Sequence, residues 1–133
     1  MIRRTPLRRR AKGKHLEYVL DFLWSKAIKL IAGGRCRLRH FRGCNGKAEH
    51  AHHIIRRGIK ATRWDLRNGL GMCWSCHTWG HDHPGEFTEF ITAVVGSAMM
   101  DLLRDLARMY VRLDLLKVKA ELESAVKDLE RAA

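Results

Sequence analysis

Residues 36–83 read CRLRHFRGCNGKAEHAHHIIRRGIKATRWDLRNGLGMCWSCHTWGHDH. All four cysteines and seven of the eight histidines of the 133-residue chain fall inside this stretch. Side chains that bind metal ions and move protons are thus concentrated in about a third of the sequence. Cys73 and Cys76 form a CxxC pair, a spacing that lets two thiolates reach one tetrahedral ion. Cys36 and Cys44 enclose seven residues, wider than the usual knuckle, but the intervening RLRHFRG is polar and contains Gly43. Both sulfurs can therefore turn toward the same ion. The pattern predicts one structural zinc held by Cys36, Cys44, Cys73 and Cys76, which replaces the apolar core that so small a module cannot build. Four reduced core cysteines would suit this polar neighbourhood poorly.

With the sulfurs assigned to zinc, the histidines need a separate role. Neighbouring His52 and His53 on a strand would point to opposite faces and so do different jobs. His77 and His81, four apart on a helix, would share a face as two ligands of one metal do. His50 would share the face of His52 and could substitute for it as a ligand.

Outward from the centre, HAHHII and GLGMC suit two short strands joined by RRGIKATRWDLRN, and helix character begins within CWSCHTWGH until Pro84-Gly85 interrupts it. On the N-terminal side, Leu16, Leu20, Leu23, Ala27 and Leu30, widened by Val19, Trp24 and Ile31, mark an amphipathic helix over 15–31. Gly33-Gly34 stops it. On the C-terminal side, 86–95 is a short helix. Beyond it one apolar phase (Leu102, Leu106, Met109, Leu113, Leu116, Ala120) overlaps a second (Leu115, Val118, Leu122, Ala125, Leu129). One face cannot carry both, so a break is expected near 116–119. These helices are expected to pack on the N-terminal helix and cover the centre rather than form a dimer zipper. The expected fold is α+β and mostly helical. Residues 1–13 form a basic flexible arm, and 14–133 are a single domain with an N-terminal helix (14–34), a compact core (35–84) and C-terminal helices (85–133).

The formal net charge is +12, and it is uneven. Residues 1–14 hold seven Arg and Lys and no acid, and residues 35–63 hold nine against Glu49 alone. From Asp101 onward seven acids balance seven bases. The excess lies where the candidate chemistry lies, which favours a nucleic-acid partner over general solubility. Arg56, Arg57, Lys60, Arg63 and Arg67 are placed to bind phosphates, and Asp65 to pair with one of these arginines. Trp64, Trp74 and Trp79 suit packing, as does Trp24. No apolar run reaches the roughly 18 residues of a membrane span. A basic N-terminus without an apolar signal core, together with CxxCH, favours an intracellular protein that binds metal over a secreted one with disulfides.

Three blocks carry a family likeness: AHHII (51–55), TRWDLRNGLGMC (62–73) and CWSCH (73–77). Together they resemble the HNH endonucleases, which have a ββα-metal fold, and the basic RTPLRR start and the histidine-rich run ending in HP resemble the phage-associated members. The likeness covers roughly residues 36–84. In that pattern the His before the aliphatic pair is His53, the Asn five residues before a Cys is Asn68, and the His after CxxC is His77. The resemblance implies a metal-dependent DNA endonuclease in which His53 is the general base on a water and Asn68 orients it by hydrogen bonds. A divalent ion (Mg²⁺, Mn²⁺, Ni²⁺ or Zn²⁺) would be held by His77 with His52 or His81. Products would carry 5′-phosphate and 3′-hydroxyl ends. The chain departs from the pattern where His52 stands in place of the frequent Asp, which shifts metal preference toward transition metals. The expected partner is DNA, double-stranded and read with weak sequence preference, in the cytoplasm of a bacterial or phage-infected cell. The competing reading is a zinc-stabilised nucleic-acid-binding module without catalysis, which leaves His53 and Asn68 without a role. A structural adaptor comes third, supported by the C-terminal helices alone.

Overall fold

The computed structural model describes residues 6–39 and 43–133, with side chains from Gly13 onward. His40 and the first five residues of the basic arm lie outside the described residues. The elements run α1 (Pro6–Ile31), β1 (His50–His53), α2 (Lys60–Arg63), a 3-10 turn (Leu66–Asn68), β2 (Gly69–Met72), α3 (Trp74–Asp82), α4 (Pro84–Val95), α5 (Ser97–Arg108) and α6 (Leu115–Ala132). The chain is α+β and mostly helical, with one small antiparallel sheet, as its patterning indicated.

Both strands fall where expected. They pair antiparallel, with His50 opposite Met72, Ala51 opposite Gly71, His52 opposite Leu70 and His53 opposite Gly69. Residues directly opposite share a face, so the sheet has two distinct sides. His50, His52, Leu70 and Met72 form one, and Ala51, His53, Gly69 and Gly71 form the other. The second side meets α1. A Cβ on Gly69 would lie 2.5 Å from Ile28 Cδ1 and 2.6 Å from the Trp24 ring, and one on Gly71 would lie 2.6 Å from Ala32 Cβ. Glycine is therefore what lets the helix rest directly on the strand backbone. The first side carries a core of Leu70 and Met72 with Cys36, Leu38, Cys73, Cys76, Phe87, Ile91 and Met100.

Helix α1 starts at Pro6, a residue suited to the first helical turn, so 6–13 of the expected arm are helical. Its end is as expected: Gly33 and Gly34 take positive φ (63° and 75°), which the left-handed exit from a helix requires. The buried stripe is Leu20, Trp24, Ala27 and Ile28. Leu20, Trp24 and Ala27 belong to the predicted stripe and Ile28 adds to it, because the helix is pressed against glycines that admit Trp24 and Ile28 deeply, while Ile31, expected in the stripe, is exposed. Leu20, Trp24 and Ile28 join Trp64 and Leu122 in a second core. Each such burial contributes about 1.5–3 kcal/mol.

The C-terminal break lies at 109–114, upstream of the predicted 116–119. The first apolar phase had counted across it. Asp114 caps α6 by accepting from the Lys117 N–H (3.2 Å), which fixes the helix start at Leu115. Within α6 the second phase holds, with Leu122 buried and Leu115, Val118, Ala125 and Leu129 half-buried. Helix α6 packs along α1, α5 rests on α2 and the 3-10 turn, and α4 bridges α3 and α5. Among the described residues no helix is long and apolar enough to cross a membrane.

Candidate functional site

The four cysteines converge. Their Sγ atoms all lie within 4.8 Å of one another, and Cys44 and Cys73 are 3.8 Å apart. Tetrahedral zinc with sulfur at about 2.3 Å needs sulfurs about 3.8 Å from each other, so the donor set fits one such ion. Local structure explains the convergence. Cys73 is the N-cap of α3, its sulfur accepting from the Cys76 N–H (3.3 Å). The Cys36 N–H donates to Gly46 O (3.0 Å) and the Arg37 N–H to Gly71 O (2.9 Å), which ties the first knuckle to β2. Cys36, Cys73 and Cys76 are fully buried. Burial pushes the Cys36 thiol up, but N–H groups of Arg39, Cys73 and Leu38 outweigh it and bring it down to about 7. Burial pushes Cys44 and Cys76 up, and for Cys76 the three neighbouring sulfurs push in the same direction. A cation is what would let all four ionise together.

Beside this cluster, a cleft of about 460 Å³ is lined by His52, His53, Arg56, Arg57, His77 and His81, with Phe87 and Ile91 among its apolar walls. Strand β1 sends its two histidines to opposite faces, as alternation requires. His52 meets α3: its ring centroid is 5.3 Å from that of His77, which is 4.7 Å from that of His81, and His50 stacks on His77 at 5.7 Å. Close approach of α3 and α4 depends on Gly80, where a Cβ would lie 2.5 Å from the Phe87 ring. Burial, then the neighbouring histidines, holds His52 down to about 4. The same two causes lower His77. Both rings are therefore neutral at neutral pH, with lone pairs available to a metal. An imidazole set without carboxylate suits transition metals better than Mg²⁺. Among the described residues only the cysteines bring three or more donors within 4.8 Å of one another. The more open His52, His77 and His81 would have to draw together around an ion, and His81 is exposed enough to turn.

His53 faces α1 instead. Its Nε2 lies 2.9 Å from the Arg63 carbonyl, and its ring stacks on Trp24 (3.8 Å between centroids, 9° between planes). A carbonyl only accepts, so Nε2 carries the proton and Nδ1 keeps the lone pair in the neutral ring. Burial lowers the His53 pKa, partly opposed by the Arg63 carbonyl and by Asp21.

Asn68 is fully buried. Its amide donates to Ile55 O (3.1 Å) and Thr62 O (2.9 Å) and its Oδ1 accepts from the Ile55 N–H (2.6 Å). One side chain thus closes the loop from Ile55 to Thr62 and fixes the peptide next to the carbonyl that holds His53. Asn68→Ala would leave an N–H and two carbonyls without these partners, and we expect it to lower stability by at least about 2 kcal/mol, read as a shifted midpoint in urea.

The five predicted phosphate-binding residues divide. Arg56 and Arg57 line the cleft, and Arg57 is also paired with Asp21 (2.9 Å). Lys60 pairs with Glu17 (2.7 Å) and Arg67 with Asp65 (2.7 Å), the pairing foreseen for Asp65. Arg63 is buried, and its guanidinium is bound by Asp21 (3.0 and 2.7 Å), so it is turned away from any phosphate. Trp64 packs in the core as expected, but Trp74 is 56% exposed.

Sequence reading did not single out Asp21 and Glu17. A signal existed: they are the only acids before Glu49, one turn apart and bordering the buried stripe. Comparison with protein-family models, curated proteins and solved structures finds no match to this chain.

Proposed function

We propose that the protein is a metal-dependent endonuclease of the HNH type that hydrolyses phosphodiester bonds in DNA. One observation carries the reading: a strand–loop–strand–helix unit gathers His52, His53, His77 and His81 around a single cleft, with Asn68 stapling the loop beneath it. A zinc-stabilised binding module has no use for a histidine whose tautomer is fixed with its lone pair free.

In this reading Nδ1 of His53 takes a proton from a water whose oxygen attacks phosphorus. The bond from phosphorus to the 3′ oxygen breaks, and the departing oxygen takes a proton from solvent, leaving 5′-phosphate and 3′-hydroxyl ends. Arg56 and Arg57 hold phosphates flanking the cut. A divalent ion held by His52, His77 and His81 would supply positive charge against the non-bridging and departing oxygens. The four cysteines hold a zinc that takes no part in the chemistry.

The test is a panel of supercoiled, linear, branched and single-stranded DNA incubated with Mg²⁺, Mn²⁺, Ni²⁺ or Zn²⁺, paired with elemental analysis. Cleavage that requires an added divalent ion is expected, strongest with a transition metal. A second metal per chain should be removable by mild chelation and lost in His77→Ala, while the cysteine-bound zinc stays. DNA binding without cleavage under every metal would favour the non-catalytic module.

A further inference from the structure

The geometry assigns Asp21 and Trp24, on α1 and outside the strand–strand–helix unit, as positioning residues for His53. The inference rests on the reading of His53 as the base, but it concerns what holds that ring.

An imidazole that must present one nitrogen to a water needs its plane and its tautomer fixed. Trp24 sets the plane. Its indole lies parallel to His53 at 3.8 Å, reaching the strand through the space that Gly69 leaves open, and its own Nε1–H donates to Asp65 O (2.9 Å). The stacking surface is thereby pinned at both ends.

Asp21 secures the tautomer one step removed. Its carboxylate accepts from Arg63 Nε and a terminal Arg63 nitrogen (3.0 and 2.7 Å), from Trp64 Nε1 (2.9 Å) and from Arg57 (2.9 Å). The Arg63 guanidinium also lies over the Trp64 ring at 5.0 Å. Side chains 63 and 64 are thus clamped on either side of the peptide whose carbonyl receives His53 Nε2. Asn68 fixes the preceding carbonyl from the other direction. Asp21 and Trp24 are three apart and so share one helical face, and both act on the same ring. A structural role alone would be served as well by apolar packing, since a buried ion pair is weak evidence of stabilisation. The same carboxylate also ties down Arg57, a cleft residue, so its removal frees a phosphate contact while loosening the base.

The experiment uses full-length, zinc-loaded protein with Asp21→Asn, Asp21→Glu, Trp24→Leu and Trp24→Phe. Two readouts are taken: kcat and KM on plasmid DNA, and the tautomer of His53 from ¹⁵N shifts of the neutral ring, assigned against His53→Gln. The wild type should show a single Nε2–H tautomer. Asp21→Asn and Trp24→Leu should show mixed tautomers and a kcat lower by about 10²-fold, and in Asp21→Asn KM should not rise, because Arg57 is released. Asp21→Glu and Trp24→Phe, which keep the charge and the flat ring, should recover most of the rate and the single tautomer. A single tautomer and unchanged kcat in Asp21→Asn and Trp24→Leu would overturn the assignment. So would conservative variants that fare no better than the disruptive ones. A wild type that holds the Nε2–H tautomer yet cuts no DNA would sink the proposed activity and leave the positioning intact.

Discussion

His53→Ala is expected to slow DNA cleavage by about 10²–10⁴-fold, the usual contribution of a positioned general base. It should leave zinc content and DNA affinity close to those of the wild type. The expectation follows from what the side chain touches. It lies on the face of β1 away from the histidine group, so its loss removes no predicted metal ligand. It is bonded to a carbonyl of a loop that Asn68 and Asp21 hold independently, so the loop that carries Arg56 and Arg57 should stay in place. What disappears is the nitrogen proposed to accept the proton. Truncation leaves a gap over the Trp24 ring large enough to receive a free imidazole, so millimolar imidazole should restore part of the rate in His53→Ala and none in His77→Ala. If His53→Ala cleaves as fast as the wild type, His53 is not the base.

How much of this was legible in the residues depends on the range over which the information is encoded. The strand pair and the start of α3 are local: alternation in AHHII and GLGMC, and a CxxC that caps a helix. They could be read within a few positions. The opposite facing of His52 and His53 was also local, since adjacent strand residues must face opposite ways. The burial of Arg63 was not. It depends on Asp21, 42 residues earlier, and an arginine in a basic loop looks like a phosphate ligand until its acid partner is seen. The break at 109–114 was placed a few residues too late for a related reason. Leu113 and Leu116 fit a helical period with the residues before them, but the capping Asp114 begins a new helix and resets the phase.

Removing the zinc proposed for the four cysteines, or replacing Cys76 with serine, is expected to unfold the central module while the two long helices keep part of their structure. Structural zinc sites of small domains contribute about 10–16 kcal/mol of apparent binding energy at neutral pH, against about 5–15 kcal/mol for the net stability of a whole domain. The ion's loss should therefore exceed what its neighbourhood can offset. The two cores make the effect uneven. Cys36, Cys73 and Cys76 sit inside the core shared by β2, α4 and α5. The core of Leu20, Trp24, Ile28, Trp64 and Leu122 contains no cysteine. Hydrogen exchange on the full chain after strong chelation should thus lose protection through β1, β2, α3 and α4 first, with α1 and α6 retaining the most. Because the sulfurs must shed protons to bind, and burial raises Cys44 and Cys76, acid should release the metal as well. The histidine cleft is built on β1 and α3, so DNA cleavage should vanish along with the zinc even though no cysteine lines it. Unchanged protection in the zinc-free protein would mean that the cysteines are ordinary core residues and that the module stands without an ion.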